Sequence, residues 1–328
     1  MAESPWNLVF LDAMTFDRED VSFDVFTRRW GCEFHRFTRL EERIPRLAGK
    51  HVVVTNKIVV DETVLVSPQA QDLRLIAVSA TGFNNVDVTA AKKRGIPVCN
   101  VKGYSSPSVA QHTFGLILEL TSHVGAYGRD VAGGAWSKSP IFTLLTYPCS
   151  ELAGKTLGLF GHGDIGKSVA VIAQGFGMRV LVAGRKGAGA VSGGRVPFDE
   201  VLQQADVVTL HCPLTPETKD LIGARELGLM KPSAFLINAS RGGLVQEAAL
   251  IEALRGRRIA GAGFDVLTQE PPPPDHPMLL AARELGNLIV TPHSAWLSRE
   301  SRQRLLNEIA ENIAAFEGGR ERNRVGQQ

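Results

Sequence analysis

Short apolar runs rich in β-branched residues alternate along the chain with longer stretches whose apolar positions recur at helical spacing. That alternation is the pattern of a parallel α/β architecture. Strands are predicted at 7–12, 32–38, 51–56, 73–80 and 97–101, with a helical stretch at 88–94. A longer helix is predicted from about Ser105. Ser106 suits its cap, Pro107 its first turn, and Val109, Thr113, Leu116, Ile117 and Leu120 make its apolar face. A second strand series follows at 156–160, 179–183, 206–212, 234–239, 259–266 and 288–291. The stretch 299–316 repeats Leu305, Leu306, Ile309, Ile313 and Phe316 at helical spacing and is expected to pack back on the first series. The Gly/Arg-rich end after Glu317 is expected to fray. Between the two series, 122–152 holds Trp136, Ile141, Phe142, Leu144, Leu145 and Tyr147 without the repeat of a core element.

A chain of 328 residues exceeds what one hydrophobic core usually organises. The expectation is two Rossmann-like parallel-sheet domains: residues 1–102 with 294–328, and residues 103–293. Composition narrows the class. Charged residues make up 21% of the chain with a net charge of +2, and the two signs are interspersed. No basic block points to nucleic acid and no acidic arm to a solvating tail. No apolar run reaches the ~18–20 residues of a membrane span, and the first residues lack the basic start of a secretory signal. Cys32, Cys99, Cys149 and Cys212 are scattered, with no zinc-like spacing. Reduced thiols, no bound metal and a cytoplasmic location are expected.

Gly161-His162-Gly163-Asp164-Ile165-Gly166 follows a predicted strand and opens a helical pattern, with Ile165, Val169 and Ile172 at helical spacing. A GxGxxG loop alone is common. In this context Gly161 suits the tight turn, Gly163 the close approach of backbone to a pyrophosphate, and Gly166 helix–strand packing. The pyrophosphate would sit at the helix N-terminus, whose free N–H groups favour an anion. Three polar residues then follow later strands: Arg241 after 234–239, Glu270 after 259–266 and His293 after 288–291. Taken singly, each has a plain structural alternative as a loop cap, a solvated charge or a buried histidine. Together, at the strand ends that form the ligand crevice of a parallel sheet, they suit carbonyl reduction. A developing alkoxide needs a proton donor, and histidine titrates nearest neutrality. A carboxylate beside the imidazole favours its charged form and fixes its tautomer. A guanidinium can fork onto a carboxylate or carbonyl oxygen and polarise it.

Several motifs span the chain: Ala80-Thr81-Gly82-Phe83-Asn84-Asn85-Val86-Asp87, the Gly161 loop, His211-Cys212-Pro213-Leu214-Thr215, Asn238-Ala239-Ser240-Arg241-Gly242-Gly243, Phe264-Asp265-Val266, Glu270-Pro271 and Thr291-Pro292-His293. With them the chain resembles the D-isomer-specific 2-hydroxyacid dehydrogenases, specifically the glycerate dehydrogenase/hydroxypyruvate reductase and glyoxylate reductase branch. The resemblance implies an active site in the cleft between the domains. It implies Arg241 as the substrate-binding and polarising residue, His293 as acid/base, Glu270 as its partner, and N–H groups around Thr81 and Gly82 on the substrate carboxylate. It further implies Asp265 on the nicotinamide carboxamide, with Cys212, Pro213 and Thr218 lining the adenosine side. Ala239 is expected beside the cofactor, and Trp296 as a wall of the substrate pocket. Many relatives carry a basic residue at the place of Asp164, so here backbone amides are left to hold the pyrophosphate and Asp164 is expected to face solvent. His112 is read as packing or interface, and Cys212 as a backbone contact, since no activating base is indicated.

The expected reaction is reduction of hydroxypyruvate or glyoxylate to D-glycerate or glycolate. A D-lactate-type reductase and a non-catalytic dinucleotide sensor are the alternatives. NAD-preferring domains place an Asp or Glu after the second strand to accept from the ribose hydroxyls. Here Gly184, Arg185 and Lys186 stand in that place, so NADP(H) is expected over NAD(H). The resemblance places the 122–152 segment in a symmetric interface, hence a homodimer.

Overall fold

The computed structural model describes residues 6–188 and 191–326. They fall into two compact units: the chain up to Ser105 together with everything from Leu297 onward, and Ser106–Trp296.

In the first unit β1 (Asn7–Phe10), β2 (Gly31–Phe34), β3 (Val52–Thr55), β4 (Leu75–Val78) and β5 (Val98–Cys99) form one parallel sheet. Leu8 pairs with Val52 and Val52 with Leu75. Every residue of β3 and β4 is buried, which is why both read as continuous apolar runs, not alternating ones. Helix Arg299–Glu317 belongs to this unit. Its Arg302 is buried and forks onto Asp20, with both bonds at 2.6 Å. That bond to Arg302, first among the causes, brings the Asp20 carboxyl down to about 2.

The second unit holds β6 (Thr156–Phe160), β7 (Arg179–Val182), β8 (Val207–Leu210), β9 (Phe235–Asn238), β10 (Gly261–Phe264) and β11 (Leu288–Val290), all parallel, in the order β11-β10-β9-β8-β6-β7. Helix Ser106–Ser122 buries Phe114, Leu116, Ile117 and Leu120 in the core shared with Leu157, Leu159 and Val169. The helix starts at Ser106 itself, so Pro107 lies in its first turn, where a missing N–H costs nothing.

Two segments differ from expectation. The tail after Glu317 does not fray throughout: β12 (Arg324–Val325) pairs antiparallel with β5, Arg324 opposite Cys99, and the first sheet runs β12-β5-β4-β3-β1-β2. Asn312 anchors it, accepting from Arg322 Nη1 at 2.6 Å and Asn323 Nδ2 at 3.0 Å. Within 122–152 a helix, Val124–Ala132, forms with no buried residue. Among the described residues no helix is long and apolar enough to cross a membrane.

Candidate active site

Each sheet reverses its strand order once, between β1 and β3 in the first and between β6 and β8 in the second. In parallel sheets that reversal opens a crevice at the strand C-termini. The two crevices are furnished differently. In the first, buried Asp12 follows β1, and its carboxylate accepts from the backbone N–H groups of Asn56, Lys57 and Ile58. Protein groups close it. In the second, the turn after β6 is glycine. Gly161 has φ +101°, and a Cβ there would stand 2.4 Å from the His211 carbonyl oxygen. A Cβ on Gly166 would lie 2.2 Å from the Gly161 oxygen. A Cβ on Gly163, the N-cap of helix Asp164–Gly175, would meet no protein atom within 4 Å. The first two glycines are required by the protein's own packing, whereas Gly163 leaves open space before free helix N–H groups. This arrangement fits a dinucleotide pyrophosphate. Asp164 is exposed and Ile165 is half-buried, packed against the helix core.

Beyond that crevice lie the ends of β9, β10 and β11, consecutive in the sheet. After β9, buried Asn238 shapes the loop: its Nδ2 donates to the Arg241 carbonyl at 2.8 Å and its Oδ1 accepts from Ser240 N at 3.1 Å. Arg241 is left exposed. After β10, Glu270 Oε1 accepts from Leu267 N at 2.9 Å, and Oε2 lies 2.6 Å from His293 Nδ1. The Glu270–His293 pair is therefore present with the carboxylate fixed from behind. With Nδ1 engaged, Nε2 is the remaining nitrogen of a partly exposed ring and has no hydrogen bond among the described residues.

The backbone of His293 is in the left-handed region, φ +53°, an uncommon state for a residue with a side chain. Asp265 imposes it. The Asp265 carbonyl accepts from His293 N at 2.7 Å; Oδ1 accepts from Thr291 Oγ1 at 2.6 Å and Ser294 N at 2.9 Å; Oδ2 accepts from Ala295 N at 2.8 Å. Burial pushes this carboxyl up, but bonds from His112, Thr291, Ala295 and Ser294 outweigh it and hold it below the ordinary carboxylate range. Sequence reasoning assigned Asp265 to a cofactor contact and did not foresee this structural task. Trp296 is half-buried against Val109, Ala239 and Ala295.

At the adenosine end the cationic residues part company. Lys186 Nζ is committed to the Leu221 carbonyl at 3.0 Å and to buried Glu226 at 3.0 Å. Burial raises the Glu226 carboxyl, yet Lys186, the Gly223 N–H and Arg225 bring it down to about 2. Lys186 thus ties the turn after β7 to helix Ala224–Leu229. Arg185 is exposed; its carbonyl accepts from Ala188 N at 3.2 Å, and its guanidinium has no hydrogen bond or ion pair among the described residues. Gly184 leaves the strand end without a carboxylate. On the facing loop Thr218 Oγ1 donates to the Pro213 carbonyl at 2.6 Å. Burial raises the Cys212 thiol, so it is not poised as a nucleophile. Burial also lowers His211 to about 4, which keeps it neutral.

In the first unit Thr81 and Gly82 are exposed, and their loop is braced: Thr81 Oγ1 donates to the Val101 carbonyl at 3.0 Å, and Asn100 Nδ2 to the Thr81 carbonyl at 2.7 Å. No cluster of metal-ligating side chains occurs among the described residues.

Residues 114–295 match the model of the D-isomer specific 2-hydroxyacid dehydrogenase NAD binding domain. The chain is 42% identical to the glycerate dehydrogenase of Methylorubrum extorquens, over 97% of this chain and 98% of that one. It is 39% identical to the hydroxypyruvate reductase of Blautia hydrogenotrophica, over 85% and 86%. Among solved structures, the TT0316 protein of Thermus thermophilus superposes with a TM-score of 0.83 at 34% identity, covering 98% of this chain and all of that one.

Proposed function

This chain belongs to the D-isomer-specific 2-hydroxyacid dehydrogenases, nicotinamide-dinucleotide-dependent oxidoreductases, and from that premise we propose that it reduces hydroxypyruvate or glyoxylate to the D-2-hydroxy acid with NADPH. The observation that carries the reading is the 2.6 Å Glu270–His293 pair at the end of β11, one strand end removed from the loop that presents Arg241.

A bound reduced nicotinamide supplies the hydride to the carbonyl carbon, and the chain supplies the rest. The glycine loop after β6 and the helix N-terminus behind it would hold the pyrophosphate, and Asp265, Ala239 and the 212–218 loop would line the rest of the dinucleotide. Arg241 forks onto the 2-oxo acid and polarises its carbonyl, while the N–H groups of Thr81 and Gly82 take its carboxylate. As negative charge grows on the carbonyl oxygen, His293 gives up the proton on Nε2; Glu270 keeps the other proton on Nδ1 and stabilises the cationic ring beforehand. Trp296 bounds the substrate. Oxidation of the hydroxy acid reverses the proton transfer.

A panel of 2-oxo acids assayed with NADPH and NADH tests the proposal. Hydroxypyruvate or glyoxylate should give the highest kcat/KM. A preference for pyruvate would move the chain to the D-lactate-type alternative, and no turnover of any 2-oxo acid would overturn the reading.

We also propose a homodimer. Val124, Trp136, Ile141, Phe142 and Leu145 are exposed, Phe142 by 90% and Leu145 by 83%. Val124 starts the helix Val124–Ala132, and the segment with the other four is braced by Trp136 Nε1, which donates to the Phe142 carbonyl at 2.9 Å. Monomers rarely expose apolar patches of this kind. Sedimentation at micromolar protein should give a dimer, and Phe142→Glu with Leu145→Glu should give monomers. A stable wild-type monomer contradicts the assignment.

A further inference from the structure

Helix Ser106–Ser122 touches the turn that carries His293 at two points. Ser108 Oγ donates to the Ala295 carbonyl at 2.6 Å, and His112 Nε2 lies 2.9 Å from Thr291 Oγ1. His112 Nε2 is also 3.4 Å from Asp265 Oδ1. The proton arrangement follows from the distances. Thr291 has one hydroxyl proton, with the Asp265 carboxylate at 2.6 Å and the Phe264 carbonyl at 3.4 Å. The proton goes to the carboxylate, because the shorter, charge-assisted bond is the stronger. Thr291 Oγ1 is then an acceptor toward the helix, and His112 Nε2 must be the donor. His112, Thr291 and Asp265 form a chain of bonds running from the helix to the turn. The same Asp265 receives the N–H groups of His293, Ser294 and Ala295 on its carbonyl and carboxylate.

We propose that His112 is a positioning residue for proton transfer: through Thr291 and Asp265 it holds the left-handed turn that keeps His293 against Glu270 and aims Nε2 at the substrate oxygen. The inference rests on the reading of His293 as proton donor. Its physical core is that a residue in a sparsely populated backbone state persists only where its surroundings over-determine it. Asp265 supplies that restraint, and His112 fixes which way Thr291 and the Oδ1 oxygen of Asp265 face. Without the His112 donor, the Thr291 hydroxyl can turn to the Phe264 carbonyl, Oδ1 loses its shortest bond, and the turn can relax. Displacements on the order of 1 Å at a reacting group cost about 10²-fold in rate.

The test uses the full-length protein and four variants. His112→Phe keeps a ring but removes the donor; His112→Gln places an amide N–H near the position of Nε2. Thr291→Val removes the hydroxyl, and Thr291→Ser keeps it. His112→Phe and Thr291→Val should lower kcat about ten- to a hundredfold, with KM for the 2-oxo acid and Kd for the dinucleotide within a few-fold of wild type. Gln and Ser should restore most of kcat. A second readout needs no cofactor. The rate at which diethyl pyrocarbonate modifies His293, followed by peptide mass spectrometry, should change several-fold in Phe and Val and return toward wild type in Gln and Ser. Wild-type kcat and modification rate in His112→Phe would overturn the proposal. So would equal losses in Phe and Gln that track a fall in Tm, since these would mark His112 as a packing residue. A fully active His293→Ala marks the separate failure of the proton-donor reading, whatever the His112 variants do.

Discussion

His293→Ala is expected to lower kcat for 2-oxo acid reduction by about 10²–10⁴-fold, the usual scale for a lost general acid. The dinucleotide Kd should stay within a few-fold of wild type. The separation follows from the layout. The pyrophosphate site proposed above lies at the turn after β6 and the helix N-terminus at Gly163, and none of that depends on an imidazole after β11. What alanine removes is the proton held on Nε2 when the carbonyl oxygen becomes negative, a contribution made only in the transition state. Folding should survive, because the Asp265 carbonyl and carboxylate bind the backbone of the turn, not the ring of His293. Glu270→Gln is the graded companion. Its amide oxygen can still accept from Leu267 N, so the loop stays closed, but the neutral side chain no longer stabilises the charged ring. Its kcat should fall by less than in His293→Ala, and the double variant should be no worse than His293→Ala alone, since both act on one proton. Stopped-flow and steady-state absorbance of the dinucleotide, with fluorescence for Kd, measure these quantities. Normal turnover in His293→Ala would sink the assignment.

Much of the fold was legible because parallel strands buried on both faces announce themselves. Val52–Thr55, Leu75–Val78 and Val207–Leu210 are buried at every position, and such short runs, apolar but for a β-branched threonine, are what a buried parallel strand looks like. Strand ends were less legible. The run 32–38 shortens to Gly31–Phe34 because pairing with β1 ends at Phe10, which a residue pattern does not encode. The β12 strand was missed for a related reason. Arg324–Val325 is only two residues long and follows the charged run Arg320–Asn323, and its pairing comes from a free edge of β5 and from Asn312, a residue in another element. In the site, Arg241, Glu270 and His293 were visible because each follows a strand and each carries chemistry. The interactions that set their geometry were not visible. His112 meets Thr291 across 179 residues, and Lys186 meets Glu226 across 40. No local spacing predicts either, and a positive φ at a histidine has no compositional signature.

Lys186 bears directly on the remaining prediction, which is that the unmodified enzyme has a higher kcat/KM with NADPH than with NADH. The end of β7 offers no carboxylate to accept from ribose hydroxyls, so a 2′-phosphate meets no like charge there. The sequence presents two cations at that point, but the structure leaves one. The Lys186 ammonium already satisfies the Leu221 carbonyl and Glu226, and taking it away would leave the buried carboxylate with only Arg225 and the Gly223 N–H. Arg185, exposed and uncommitted among the described residues, is the group able to fork onto a phosphate. One charge-assisted contact of this kind contributes roughly 1.5–3 kcal/mol, about ten- to a hundredfold in affinity. Arg185→Ala should therefore weaken NADPH by about that factor and leave NADH nearly unchanged. Lys186→Met should weaken both dinucleotides alike and lower Tm, because it loosens the turn without removing a phosphate ligand. Gly184→Glu is the converse experiment, supplying a carboxylate that repels phosphate and accepts from ribose. The Cβ it adds would stand 2.5 Å from Val191 Cγ1, so that side chain must shift, and its result is read together with Arg185→Ala. If Lys186→Met abolishes discrimination while Arg185→Ala preserves it, the two cations have been assigned the wrong way round. If the wild type uses NADH as well as NADPH, the missing carboxylate does not set the preference.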